Sequence, residues 1–345
     1  MNTRKNILLF SLCTFLGLTC YVRVDAAIVA GDLLVADPAA GTLWRVNPIT
    51  GEEIAFAQVA GARDVAVSAA GHIYVLGSGV SIATHVYRVD PVDASVTTVN
   101  ATPIGFFGFG IGLGSDETIY VAGGGSGTVS NVYSINPGTG MVVNVTTTWN
   151  SPSIPTDVLA ESSSSLLVTS LSTGGGVYRV DIPTGNQVAV RTGSPWVGPT
   201  GITADGSGGY IVTDVHANAV SDWDGTAAAP IIISQGTPFV DPRQSVVDSA
   251  GMILVADGNG PSGTPGFVIK VDPSDGSTTI LAQGQARVGL PPLGLDSPAG
   301  IAIYRPIPEP ASCWLLTMGL SLAVGRRWRA TGRRPRRNYA SVTIT

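Results

Sequence analysis

Apolar and polar residues alternate through one short segment that returns six times along the chain. Val177–Gly185 (VYRVDIPTG) is its clearest copy, Leu43–Gly51, Val86–Pro91, Val132–Gly140 and Val268–Gly276 are close to it, and Val220–Gly225 is a worn one. Alternation carried by β-branched and aromatic residues predicts a half-buried strand. The Asn or Asp that follows, with Pro and Gly just beyond, predicts a tight turn: the short side chain bonds the backbone ahead, Pro presets φ, and Gly tolerates φ > 0. The closing residues are Asn47, Asp90, Asn136, Asp181, Asp224 and Asp272, spaced by 43, 46, 45, 43 and 48 residues. A period of that length marks a repeat architecture.

Around this unit each repeat carries further strands. A continuous apolar one precedes it, at Leu33–Asp37, His72–Gly77, Thr118–Gly123, Leu166–Ser170, Tyr210–Asp214 and Ile253–Asp257. Before that lies a shorter strand of small residues, at Asp64–Val67, Gly110–Leu113, Asp157–Ala160, Gly201–Ala204 and Ser245–Asp248. A polar, β-branched strand follows the unit, as at Val96–Val99, Gln187–Arg191 and Thr278–Leu281. No segment has a helical stripe, and short strands with turn signals every eight to twelve residues predict an all-β fold. The first repeat lacks its small-residue strand, and an orphan copy, Ala299–Tyr304, stands at the far end. One strand missing at the start and one surplus at the end predict a closed ring: an all-β, six-bladed β-propeller whose C-terminal strand completes the N-terminal blade and removes the exposed edges. An open solenoid would need no such exchange.

The blade pattern P-x-G-I-x, I-Y-V-x-D, V-Y-R-V-D-P-x-x-G resembles the NHL-repeat and gluconolactonase/streptogramin-lyase-like propellers over Leu33–Tyr304. The resemblance implies the fold and leaves the task open, because propellers serve as binders, scaffolds and enzymes.

The ends of the chain read differently. Residues 1–26 combine Arg4 and Lys5, the apolar run Ile7–Leu18 and Val24-Asp25-Ala26, the pattern of a cleaved secretory signal peptide. Residues 27–305 form the propeller, and residues 306–345 form a sorting segment. There Pro308, Glu309 and Pro310 precede the apolar run Ala311–Val324 and the arginines Arg326, Arg327, Arg329, Arg333, Arg334, Arg336 and Arg337. This order resembles the PEP-CTERM sorting signal of Gram-negative bacteria. The resemblance implies export through the inner membrane, transient anchoring there with the arginines held in the cytoplasm, an exosortase as partner, and delivery to the cell surface or an extracellular polysaccharide matrix. The apolar run is short for a span, about 21 Å of helix against a core of about 30 Å, and residues 338–345 trail the arginines.

Charge follows the same division. Residues 27–305 hold 9 basic and 22 acidic side chains, a net of −13 that the whole-chain figure of −5 conceals. An acidic ring argues against nucleic acid and against unaided binding of acidic polymers, leaving exopolysaccharide or surface proteins as candidate partners. The three cysteines, Cys13, Cys20 and Cys313, all lie outside the ring, so neither a disulfide nor a thiolate metal site is expected in it.

No HExxH, G-x-S-x-G or Cys-x-x-Cys occurs, and His72, His85 and His216 stand in different repeats. No residue is assigned a catalytic role. The Gly108–Gly114 run superficially matches a dinucleotide loop but opens no helix, and crowding of an inner strand at the ring axis accounts for its glycines. Candidate ligands fall on the face bearing the inter-blade loops: Asp37, Asp64, Asp157, Asp214, His216, Arg243 and Asp257, with Arg63 and Asp296 nearby. Converging carboxylates there could hold Ca²⁺, a hard ion wanting six to eight oxygens, and a lactonase- or lyase-like enzyme with a cation in the channel is the alternative to a non-catalytic binder. The competing expectation is that strand-end aspartates cap turns. Trp44, Tyr87, Tyr133 and Tyr178 share one register and are expected between blades, whereas Trp149 and Trp196, in connections, are free to meet a sugar.

Overall fold

The computed structural model describes residues 27–305 except 79–82, 106, 126–127, 150–153, 172–174, 259–264 and 285–293. The expected signal peptide (residues 1–26) and the expected sorting segment (residues 306–345) therefore lie outside the described residues. Those described form six four-stranded antiparallel sheets and no helix.

The first blade contains β1 (Leu33–Asp37), β2 (Thr42–Val46) and β3 (Glu53–Gln58). The second is β4 (Ala62–Val67), β5 (Ile73–Ser78), β6 (Thr84–Val89) and β7 (Val96–Thr98). The third is β8 (Gly108–Leu113), β9 (Ile119–Gly125), β10 (Thr128–Ile135) and β11 (Val142–Asn144). The fourth is β12 (Ile154–Ser162), β13 (Ser165–Leu171), β14 (Gly176–Asp181) and β15 (Gln187–Thr192). The fifth is β16 (Pro199–Ala204), β17 (Tyr210–Asp214), β18 (Ala219–Trp223) and β19 (Ile231–Gln235). The sixth is β20 (Pro242–Val247), β21 (Ile253–Asp257), β22 (Phe267–Val271) and β23 (Thr278–Gln283), and β24 (Gly300–Ile303) returns to the first. It pairs antiparallel with β1, Leu33 opposite Ile303 and Ala36 opposite Gly300, so the expected closure is present.

The core explains why the second strand of every repeat is apolar without alternation. Leu34 and Ala36 of β1 pack with Val65, Ile73 and Val75 of the second blade, while Leu33 and Val35 pack with Leu254, Ala256 and Val268 of the sixth. Each such strand is covered on both faces by neighbouring blades, and one hydrophobic cluster fills each of the six interfaces. Trp44, Tyr87, Tyr133 and Tyr178 lie in these interfaces, as their shared register predicts.

The turn chemistry also holds. Asn47, Asp90 and Asn136 each accept, through one side-chain oxygen, the two backbone N–H groups two and three residues ahead. Four residues on, Gly51, Gly140, Gly185 and Gly276 adopt φ of +69° to +72°, and in the second blade Ala94 takes the same place at +58°.

Two expectations fail. Trp149 and Trp196 are 7% and 3% exposed, not free for a sugar. Trp149 donates to Ser170 Oγ and meets Tyr178 edge-on, and Trp196 donates to Ser221 Oγ against Trp223. In both connections burial of a large ring at a blade edge outweighs exposure.

Candidate binding site at the channel mouth

The inner strands begin with a bulge. In β4, β8, β12, β16 and β20 the pairing register slips by one residue, leaving Arg63, Phe109, Thr156, Thr200 and Arg243 unopposed. A bulge bends the strand and re-aims its side chains. All five, with Ala299 of the first blade, line a small cavity of about 30 Å³ at the ring centre.

The next residue of each inner strand makes a second ring: Asp64, Gly110, Asp157, Gly201, Gln244 and Gly300. Large and small alternate around the axis, and each glycine is the space its neighbour needs. A Cβ on Gly300 would stand 2.4 Å from Asp64 Cα, one on Gly110 2.5 Å from Asp157 Cα, and one on Gly201 2.8 Å from Gln244 Oε1. The side chains admitted this way staple the blades. Asp64 accepts the N–H of Val65 in its own blade and of Ile111 in the next, both at 2.8 Å. Asp157 does the same with Val158 and Ile202, also at 2.8 Å, and receives Gln244 Nε2 at 2.6 Å.

Electrostatics at this ring are unusual. Burial pushes the Asp157 carboxyl up to about 7 against the lowering effect of its hydrogen bonds. Burial, with repulsion from Asp157, holds the Asp64 carboxyl well above the ordinary range. Burial, with repulsion from Arg243, lowers the Arg63 guanidinium. Arg63 Nε is buried without a hydrogen-bond partner, and its guanidinium carbon lies 5.1 Å from the Phe109 ring centre. Arg243 is fixed by Asp241, with Nε and Nη2 at 2.8 and 2.7 Å from one carboxylate oxygen.

The candidates thus separate into two sets. Asp64, Asp157 and Arg243 meet at the cavity. Asp37, Asp214 and Asp257 lie one strand farther out, and their oxygens are engaged by connections. Asp37 accepts the N–H of Ala39, Ala40, Asp296 and Ser297, which fastens the ring closure. Asp214 accepts those of Val197, Gly198, His216 and Ala217. Asp257 accepts those of Val240 and Asp241, and burial still pushes its carboxyl up to about 6. His216 is exposed and joins this set by its backbone N–H. A lone pair engaged by N–H is not available to a cation, and among the described residues no group of three or more His, Cys, Asp or Glu is placed to hold a metal ion. The turn-capping expectation describes Asp37 and Asp214, whereas Asp257 is engaged by the connection before its blade.

Sequence reasoning missed Gln244, Phe109, Thr156 and Thr200. A usable signal was present: Pro155, Pro199, Pro242 and Pro298 each stand two residues before the second ring, an alignment that places Gln244, not Ser245, opposite Asp64 and Asp157. The glycine run at Gly108–Gly114 is explained by contact across blades, since a Cβ on Gly112 would fall 2.2 Å from Val158 O.

No protein-family model matches this chain, and no curated protein does. Among solved structures, a chain in the crystal structure of a nidogen–laminin complex is similar, with a TM-score of 0.61 at 12% identity, over 79% of this chain and 98% of that one. TolB from Acinetobacter baumannii is similar as well, with a TM-score of 0.59 at 14% identity, over 80% of this chain and 67% of TolB. The chain is a six-bladed β-propeller. At these identities the likeness is one of fold.

Proposed function

We propose that this chain is an exported propeller, sorted to the cell surface or extracellular matrix, that binds a protein or polysaccharide partner without catalysing a reaction. One observation carries the non-catalytic reading: the buried acids of the loop-bearing face are engaged as acceptors of backbone N–H, four donors each at Asp37 and Asp214. Partner binding is in keeping with the nidogen–laminin complex that contains a similar chain. Export, transient membrane anchoring and handling by an exosortase rest on the signal-like residues 1–26 and on Pro308-Glu309-Pro310 with the apolar run and arginines behind it. The NHL-like blade pattern belongs to the same reading.

A second reading, a lactonase- or lyase-like enzyme using a divalent cation, has one observation in its favour. Asp157, titrating near 7 beside a cavity, has the perturbed acidity that marks many active sites.

The test is fractionation of cells expressing either the full chain or one ending at Arg305, paired with co-sedimentation of the purified chain with matrix material. The expected result is a full chain in the surface or matrix fraction, a truncated chain released from it, and saturable co-sedimentation. A chain that stays in the periplasm and ignores matrix material overturns the proposal. Lactone hydrolysis that Asp157→Asn abolishes would establish the second reading instead.

A further inference from the structure

We propose that the channel mouth is an anion site that takes one small carboxylate between the guanidinium groups of Arg63 and Arg243. The proposal rests on the channel geometry and on neither export nor partner binding.

The ring has nine basic side chains against 22 acids, yet two of the nine converge on one cavity. Like charges brought together in a partly desolvated place oppose each other, and here the repulsion is felt at Arg63. Such an arrangement is costly unless something negative lies between. Among the described residues, neither arginine forms an ion pair with a carboxylate of the cavity. Arg243 is paired through one edge of its guanidinium with Asp241, which orients it. Arg63 rests against Phe109, and its buried Nε has no acceptor. A planar guanidinium fork matches a carboxylate in shape and charge.

At about 30 Å³ the cavity has room for one or two waters, enough for a carboxylate head. Asp64 and Asp157 also line the cavity, and their oxygens are turned to the N–H groups of Val65, Ile111, Val158 and Ile202.

The experiment is a formate titration of the purified full chain, followed by saturation-transfer NMR, with acetate as competitor. Saturable one-to-one binding is expected, weakened at least about tenfold by Arg63→Leu or Arg243→Leu and by less in Arg63→Lys, which keeps the charge but not the fork. Circular dichroism checks that each variant is folded. A readout on the unaltered chain runs alongside: the rate at which phenylglyoxal modifies Arg63, measured by peptide mass spectrometry, should fall with formate. The proposal is overturned if the folded chain shows no saturable binding, if Arg63→Leu binds formate as well as the unaltered chain does, or if Arg63 reacts at the same rate with and without formate.

Discussion

Two sets of aspartates sit on the same face of this ring, equally buried, and play different parts. Asp37 and Asp214 end second strands and each gather four backbone N–H groups from two connections. Asp64 and Asp157 begin inner strands, receive two backbone N–H groups each, and face one another's charge. Burial raises a carboxyl and N–H donors lower it. Burial, joined at Asp64 by repulsion from Asp157, raises both carboxyls of the inner pair. The outer acids thus tie connections together, and the inner acids tie one blade to the next around the axis.

The largest effect should come from emptying an outer position. Asp214→Ala strands four N–H groups and is expected to cost about 3–5 kcal/mol in a urea melt. A loss under about 1 kcal/mol would break the comparison.

Gly300→Ala tests the packing of the inner ring. Its Cβ would meet Asp64 Cα at 2.4 Å, backbone that cannot swing aside, and a cost of about 2–3 kcal/mol is expected from overpacking.

The pH dependence sharpens the comparison further. A carboxyl whose folded pKa lies above its unfolded value adds stability while protonated and loses it as pH rises. Asp64, Asp157 and Asp257 are all raised. Stability should therefore fall between about pH 4 and about pH 7, by on the order of 2 kcal/mol. Asp157→Asn, which mimics the protonated form, should flatten that slope in denaturant melts across the range, whereas a slope of opposite sign would refute the assignment.

The smallest effect lies far from both sets. Ala94 stands at φ +58° where four other repeats carry glycine, so Ala94→Gly should stabilise the chain by about 0.5–1 kcal/mol, net of the entropy of glycine. A thermal melt reads this as a small rise.

Much of the architecture was legible because it repeats. The strand and its closing Asn or Asp return six times, four of them with both Pro and Gly in the turn, and the missing inner strand before Leu33 matched the surplus at Ala299–Tyr304. The inner ring was less legible. A bulge shifts side-chain parity by one residue, and aligning the sixth repeat on Ser245 hid Gln244. The roles of Asp37 and Asp214 were hidden for another reason: their donors come from connections as distant in sequence as Asp296 and Ser297. Trp149 and Trp196 misled because a residue in a connection can still be the edge of a core.

The central claim is that the acids of this face serve the backbone and, among the described residues, form no calcium site. Its most direct test is the melting temperature of the purified full chain in calcium and in chelator. The account predicts the same temperature within about 1 °C, since an ion that does not bind the folded state cannot stabilise it. A saturable rise of several degrees at near-stoichiometric calcium, lost in Asp157→Asn, would contradict it.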